Sequence, residues 1–399
     1  MNNKYLVINA GSSSLKFSLY EMPSAKEIVN GYIEKIGKND SFYTLKFGGQ
    51  KLEKKRLISD HTEAVQVMLQ ELLNNKFINE INEIVGVGHR VLHGGEIYSE
   101  SALIDEKVLN DINTLIPLGP LHIPGAISGI ESMSKVLSDV PQVAVWDTAF
   151  HQSIPEENYM YAVPYEWYTE HKVRRYGAHG TSHDYVAHRM AELMGRDIEG
   201  TRMITCHLGN GASISAVKDG KCVATSMGFT PLGGIMMGTR CGDIDPAIVP
   251  YMMKRTGMTP DEMDTALNKK SGMLGISGIS SDARDVEAGV QAGNERAILT
   301  QAMYVNRVIN IVGGYVMQMG GVDAICFTAG LGENDVHLRH MICEAMSEHL
   351  GIVMDYQKND SIRGKEELLS KEESKVQVWC IPTNEELMIA RDTYRILGL

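Results

Sequence analysis

Long apolar runs, paired cysteines and a surplus of basic charge are all missing from this sequence. No stretch approaches the roughly 18 consecutive apolar residues that a membrane span requires. The first residues, MNNKYLVINAG, carry neither the basic n-region nor the apolar h-region of a secretory signal. Cys206, Cys222, Cys241, Cys326, Cys343 and Cys380 form no C-x-x-C pair and no metal-like spacing, so the reduced thiols of a cytoplasmic protein are expected. The formal net charge of −12 argues against nucleic acid and against an anionic membrane surface as partners. An anionic substrate would have to be held by local cations against this acidic background. There is no Walker A motif either: Gly233 and Gly238 have the right separation in GGIMMGTR, but Thr239 and Arg240 follow. GNGASI fails at the last position of G-x-G-x-x-G, so neither a P-loop nor a Rossmann site is expected.

What is present is an ordinary soluble composition, 43% hydrophobic and 22% charged, in 399 residues, enough for about two or three domains. YLVINAGSSSLKFSLYE reads as strand, tight turn, strand, because Leu15 to Leu19 alternate. TEAVQVMLQELLNNKF sets Ala64, Val67, Met68, Leu72 and Leu73 at helical spacing. INEIVGVGHRVLHGGE is rich in strand formers, a helix is expected after Pro124, and PQVAVWDTAFH is a short buried strand ending at Asp147. A second cycle begins at RMITCHLGNGASISAVKDGKCVATS, whose third strand follows an Asp219-Gly220 hairpin turn. The two hairpins share a plan but not a sequence, and their alternation is out of phase. The rest is mostly helical, with strand, glycine turn and helix in VDAICFTAGLGEN and a similar unit in VQVWCIPTNEELMIARD. A first domain boundary is expected somewhere in residues 150–195.

Glycine turns follow three of these strands, at Gly11, at Gly209 with Gly211, and at Gly330 with Gly332. Without Cβ atoms, such turns let backbone N–H groups converge on an oxyanion. Each alone is an ordinary turn; together with their polar neighbours they point to phosphate. The serines after Gly11 and Lys16 add donors, and Asn9 offers a neutral oxygen suited to hydrated Mg²⁺. Arg90, set among glycines in GHRVLHGGE, reads as an anion clamp or as a surface ion pair. His89 and His93 would suit a metal only on a helix, and their context favours a strand. In YGAHGTSHDYVAHRM, His179 lies between Ala178 and Gly180 before a helix start, so ligand contact or capping outweighs metal binding for His179 and His183. Arg240 in a flexible loop either reaches developing charge or pairs with Asp243 or Asp245. Asp282 caps a helix or holds a ribose, while Glu385 and Glu386 sit in a first helical turn that favours carboxylates anyway. The methionines of YMMKRTGM serve a core or, less ordinarily, a subunit interface.

NAGSSSLKF, GHRVLHGGE, WDTAFH, YGAHGTSH, HLGNGASI, GGIMMGTRCGDIDP, GISGISSDARD, GLGEN and TNEELMIARD, in this order, resemble the acetate kinase family over essentially the whole chain. That family belongs to the superfamily joining acetate and sugar kinases, heat-shock cognate ATPases and actin. The resemblance implies an α/β protein of two similar ribonuclease-H-like domains with an interdomain active-site cleft, the actin-like ATPase fold. The domains would be residues 1–150, with the C-terminal helix able to pack back on them, and the nucleotide-binding residues 151–399. It further implies a cytoplasmic homodimer that transfers a phosphoryl group reversibly from ATP to acetate, giving acetyl phosphate and ADP, with Mg²⁺ or in its place Mn²⁺. A propionate or butyrate kinase of the same family is the alternative.

Carried onto this chain, the resemblance makes Asp147, His179 and Arg240 catalytic, the last two stabilising the transferring phosphoryl group. Arg90 would hold the acyl substrate, with Leu92, Leu121 and Pro231 around its methyl group. ATP would lie along Ser12, Ser14 and Lys16; His207, Leu208, Gly209, Asn210 and Gly211; Asp282, Ala283 and Arg284; and Gly330, Leu331, Gly332, Glu333 and Asn334. Asn9 and Glu385 would bind the metal. One departure is Leu92, where the family usually has valine, and its extra methylene would narrow the pocket. The chemistry agrees: acetate is ionised at neutral pH and needs no general base, so cations must neutralise the spreading phosphoryl charge. Asp147 is then expected to orient Arg240 or a Mg²⁺-bound water instead of taking a proton. A sugar kinase would need a base and a hydroxyl-rich pocket, against which the apolar IPLGPLHIPG argues. A nucleotide-gated assembly protein would not need cations around an acceptor.

Overall fold

The computed structural model describes residues 3–120 and 122–398, so Leu121, expected in the acyl pocket, lies outside the described residues. The chain divides into two compact units, Met1–Phe150 with Asn384–Leu399, and His151–Thr383. Unit 2 thus stops at Thr383 and not at residue 399, because the last helix, Glu385–Leu397, buries Ile389 and Ala390 among side chains of unit 1. Among the described residues no helix is long and apolar enough to cross a membrane.

Unit 1 is built on β1 (Asn3–Gly11), β2 (Ser14–Met22), β3 (Lys26–Glu34), β4 (Phe42–Phe47), β5 (Gln50–Lys55), β6 (Ile84–Val91), β7 (Ala102–Leu103) and β8 (Gln142–Trp146). They form one sheet in the order β5-β4-β3-β2-β1-β6-β8-β7. β1 and β2 make the expected hairpin, paired from Asn3–Met22 to Gly11–Ser14, and β6 and β8 continue the sheet in parallel. Both faces are covered, which is why β1 reads as a nearly continuous apolar run. One face buries Leu6, Ile8, Leu15, Phe17 and Leu19 with Val65, Met68 and Leu72 of the helix His61–Asn74. The other buries Tyr5, Val7, Tyr20, Val143 and Val145 with Ile389 and Ala390 of the C-terminal helix.

Two glycines of β6 make the second packing possible. A Cβ on Gly88 would lie 2.2 Å from Thr393 Oγ1 and 2.6 Å from Ile389 Cγ2, and one on Gly86 would lie 2.5 Å from Leu397 Cδ1. The alternation in IVGVGHRV therefore leaves one face of the strand bare, and the helix lies directly on its backbone.

Unit 2 carries β9 (Arg202–Leu208), β10 (Ala212–Lys218), β11 (Lys221–Thr225), β12 (Ala324–Thr328), β13 (Glu367–Leu368) and β14 (Gln377–Cys380), in the order β11-β10-β9-β12-β14-β13. Asp219 and Gly220 both have positive φ, 53° and 75°, as a tight two-residue hairpin turn demands. The succession β11-β10-β9-β12-β14 repeats β3-β2-β1-β6-β8: a three-stranded antiparallel meander, then two parallel neighbours. The shared plan of the two hairpins is thus a shared sheet. Its core is filled from the long helix Glu295–Met319, which buries Tyr304, Val308 and Val312.

Three local expectations are corrected. The segment after β12 is a helical turn, Ala329–Asn334, because Ala329 takes a φ of 64° and starts the helix at once. The helix expected after Pro124 starts at Ile123, with the proline inside its first turn, where a missing N–H costs nothing. The helix Ile248–Thr256, holding YMM, has no buried residue, so its methionines are not core.

Gly88→Ala is expected to destabilise unit 1 by about 1–3 kcal/mol, because the new methyl pushes the C-terminal helix off β6. Adding Thr393→Ala should recover part of that loss in a urea titration; strictly additive losses would show that Gly88 is not a close-approach site.

Candidate active site

The second face of the unit 1 sheet ends in a row of polar groups. Along β1 the alternation runs Tyr5, Val7, Asn9; along β6 it runs Gly86, Gly88, Arg90; after β8 it runs Val143, Val145, Asp147. Antiparallel β2 places Lys16 opposite Asn9. With side chains alternating every second residue, one more step past the apolar core delivers each polar group to the same sheet edge. For the parallel strands β1, β6 and β8 this is the carboxyl edge, where open α/β sheets hold their ligands.

Asp147 is fully buried, and it is neutralised by Arg90. Arg90 Nε donates to Oδ1 at 2.9 Å and an Nη to Oδ2 at 2.6 Å, a bidentate fork. The other Nη lies 3.9 Å from Glu385. Burial alone would lower the Arg90 pKa, but the fields of Asp147 and Glu385 outweigh it and raise the pKa, so the guanidinium is permanently charged. Both Asp147 oxygens therefore engage Arg90. Beside the pair is a cavity of about 370 Å³ lined by Asn9, Lys16, Arg90, Glu385 and Glu386 among others. Asn384 caps the C-terminal helix by accepting from Leu387 N and so sets the two glutamates at the helix start. Glu386 is pushed upward, by burial first and then by the charge of Glu385. Leu92 is half-buried, with Cδ2 3.1 Å from where a Gly119 Cβ would stand.

Ser12 is exposed at the tip of the β1–β2 turn, and Ser14 pairs with Gly11. His89 is buried and bonded to Gln142 at 2.6 Å, so the His89–His93 spacing marks no metal site.

Unit 2 has its own cluster, around Gly211. A Cβ there would lie 3.5 Å from an Arg240 Nη and 3.7 Å from His179 Cε1, so Gly211, Arg240 and His179 border one place. His179 caps the helix Gly180–Leu193 with a φ of 59°, bonds Ser213 through Nδ1 at 2.8 Å and stacks on His207 at 4.0 Å. Arg240 is partly buried and donates to Pro231 O at 3.0 Å. Among the described residues it has no carboxylate partner: Asp243 accepts from Gly234 N, and Asp245 from Ala247 N. Burial lowers its pKa. A desolvated cation without a counter-ion is a built place for an anion.

The glycine turns of unit 2 meet. β9 and β12 are parallel neighbours with His207 opposite Thr328, and a Gly209 Cβ would be 3.9 Å from Gly330 N. On the other flank a Gly238 Cβ would strike Asn210 Oδ1 at 2.0 Å and Ser281 O at 2.8 Å. The segments 207–211 and 330–334 thus adjoin, and Gly238 lies between Asn210 of the first and Ser281, just before 282–284.

The family comparisons bear on this geometry. The acetokinase family profile matches residues 4–391. An acetate kinase of Geobacillus sp. (strain WCH70) is 52% identical over 397 residues, covering 100% of both chains. The crystal structure of Porphyromonas gingivalis acetate kinase matches with a TM-score of 0.95 at 46% identity over 99% of this chain and 100% of that one. The chain belongs to the acetokinase family. A propionate kinase from Francisella tularensis is also similar, with a TM-score of 0.92 at 39% identity over 99% of this chain and 100% of that one. The fold of this acetokinase is the actin-like α/β type, with one such sheet in each unit.

Several of the residues expected at the nucleotide have side chains turned into the protein. Leu208 is fully buried in the unit 2 core, and Ala283 and Leu331 pack against it. Glu333 turns inward: its carboxylate accepts from Ala329 N at 2.8 Å and Thr383 N at 3.1 Å, which holds the strained turn. Asp282 caps its helix and is held at about 2 by Arg284, through a side-chain hydrogen bond first. Sequence reasoning passed over the hydroxyls beside the histidines. Ser213 Oγ joins His179 and His183, and Ser182 joins His207 and Thr383. The available signal was Ser213 and Ser215 alternating with Ile214 and Ala216 in a buried strand.

His89 supplies a pH test. Burial holds it at about 4 in the folded protein, against the opposing effect of its Gln142 bond, whereas the unfolded chain binds the proton near 6.5. Unfolding free energy should therefore fall by about 1.4 kcal/mol per pH unit as pH drops from about 6.5 to 4. Denaturant titrations of His89→Gln should lose that share of the slope; an identical slope would refute it.

Proposed function

We propose that this acetokinase transfers the γ-phosphoryl group of ATP reversibly to acetate, giving acetyl phosphate and ADP by direct in-line displacement. The observation that carries this reading is the bidentate engagement of Asp147 by Arg90. A carboxylate whose two oxygens are so occupied is a poor general base. The acceptor it suits is one that arrives ionised, and a carboxylate does at neutral pH. Arg90 would take the acyl carboxylate, while Leu92 and Pro231 would offer apolar surface to its methyl group.

His179 and Arg240 would stabilise the charge spread over the phosphoryl oxygens, where losing one donor costs about a hundredfold or more in rate. Lys16 with Ser12 and Ser14 would meet phosphate oxygens. The turns at 207–211, 282–284 and 330–334 would hold the nucleotide largely through the backbone.

Mg²⁺ fits the residues present. Glu385 Oε1 is buried with no hydrogen-bond partner, Glu385 and Asn9 line the same cavity, and a Mg²⁺ bound mainly through phosphates and water needs few protein oxygens. Among the described residues no cluster of three acidic, histidine or cysteine ligands exists, as such a site allows. Bound there, the ion, or Mn²⁺ in its place, would neutralise phosphate charge. A homodimer is part of this reading, since Ile248 and Tyr251 are 44% and 60% exposed on the helix Ile248–Thr256.

Propionate is the second reading, and the similarity to a propionate kinase favours it. Leu92 speaks for the shorter acid. Acyl phosphate trapped as hydroxamate across formate, acetate, propionate and butyrate should peak at acetate. Leu92→Val should then raise propionate relative to acetate by about tenfold, the usual worth of a methylene. A wild-type maximum at propionate would replace the assignment.

Asp147→Asn should lower turnover about a hundredfold by loosening Arg90 while the pH–rate profile keeps its shape. A displaced acid limb would instead make Asp147 a proton-transfer group.

A further inference from the structure

Behind His179 lies a chain of buried polar groups that the reaction, as described, leaves unused. His179 Nδ1 is 2.8 Å from Ser213 Oγ, Ser213 Oγ is 2.7 Å from His183 Nε2, and His183 Nδ1 is 2.6 Å from Thr205 Oγ1. Ser213, His183 and Thr205 are each 0% exposed. Their positions follow from the fold: Thr205 lies on β9 and Ser213 on β10, and both turn toward the helix that carries His183.

The direction of this chain follows from counting donors. Suppose Thr205 O–H donates to His183 Nδ1. Then His183 Nε2–H donates to Ser213 Oγ, Ser213 O–H donates to His179 Nδ1, and the donors of Thr205, His183 and Ser213 each have an acceptor. Run the other way, His183 Nδ1–H would donate to Thr205, whose own buried O–H would then find no acceptor among the described residues. Buried hydroxyls are almost always satisfied, so the first direction holds. A doubly protonated His183 would also break the chain. It is disfavoured, since burial first, and then His151 and His207, hold its pKa well below the usual value.

We propose that Thr205, His183 and Ser213 form a one-directional hydrogen-bond chain that keeps Nδ1 of His179 an acceptor and its proton on Nε2. Ser213 and His183 are then positioning residues for phosphoryl transfer. The His179 ring is already held by its backbone conformation, with a φ of 59°, and by stacking on His207. What the chain adds is the tautomer. Cε1, which lies between the two ring nitrogens, borders the same space over Gly211 as Arg240. Ser213 takes Nδ1, so the nitrogen left to meet an oxyanion there is Nε2, and a proton on it makes a second donor beside Arg240. With the proton on Nδ1, Nε2 would present a lone pair and repel the same oxygen.

The proposal rests on the reading of His179 as a group acting on the phosphoryl oxygens, and the test separates the two. The protein is labelled with ¹⁵N-histidine, and His179 is assigned by its loss in His179→Gln. In the wild type its Nδ1 should resonate as a pyridine-type and its Nε2 as a pyrrole-type nitrogen. Ser213→Ala should mix the tautomers and lower kcat about tenfold, with KM for acetate and Mg-ATP held within about twofold. Ser213→Thr, which keeps the hydroxyl, should restore both readouts. Thr205→Val probes the far end of the chain without touching Ser213, and should mix the tautomers too if Ser213→Ala fails to fold. A wild-type proton on Nδ1, or a tautomer indifferent to both substitutions, would overturn the chain. Mixed tautomers with unchanged kcat would overturn the positioning role. Full turnover in His179→Gln would instead remove the functional reading and leave the chain standing.

Discussion

The fork between Arg90 and Asp147 is the interaction on which the reading of unit 1 depends. A carboxylate with no exposed surface is tolerated only when its charge is answered at both oxygens, and Arg90 is the side chain whose geometry does so. The pair fixes the guanidinium at the edge of a cavity that also holds Asn9, Lys16 and Glu385. A site so arranged suits an acceptor that is an anion from the start, and its work is electrostatic.

That edge exists because both faces of the sheet are packed. Tyr5, Val7, Val143 and Val145 fill one face, and the polar groups one step further along each strand stand just beyond them. The C-terminal helix, seated on the glycines of β6, brings Glu385 and Glu386 to the same place. A bulkier β6 would hold that helix away, although nothing in the helix itself would have changed. Fold and site are coupled here by the absence of two side chains.

Unit 2 uses the same strand order for the opposite charge problem. Its strand ends present glycine turns, a desolvated arginine without a carboxylate partner among the described residues, and a histidine bonded to a serine hydroxyl, which in the proposed reaction are donors to an anion. In a chain of net charge −12 such groups act over short range, since water and salt screen the remote acidic surface but not a partly buried cation beside its ligand. The acidic total and the anionic substrates are therefore compatible.

Much of this was written in local pattern. The alternation around Gly11, the Asp219-Gly220 turn and the glycines beside Arg90 depend only on neighbours along the chain, so they could be read directly, as could the candidates His179 and Arg240. Pairings were harder. That Asp147 answers Arg90, that Glu333 turns inward, and that the helix Ile248–Thr256 lies exposed depend on which strands become neighbours. Ser213 was passed over for the same reason: its alternation with Ile214 marks a face, but a serine in a buried strand looks like filler until the helix bearing His179 and His183 is laid across it. The sequence by itself determined which residue types were available and on which face of each strand they would stand, because side-chain period is a property of the local backbone. Only the tertiary structure decided which charges cancel and which are left to meet a ligand, because electrostatic partnership is a matter of distance between segments far apart in the chain.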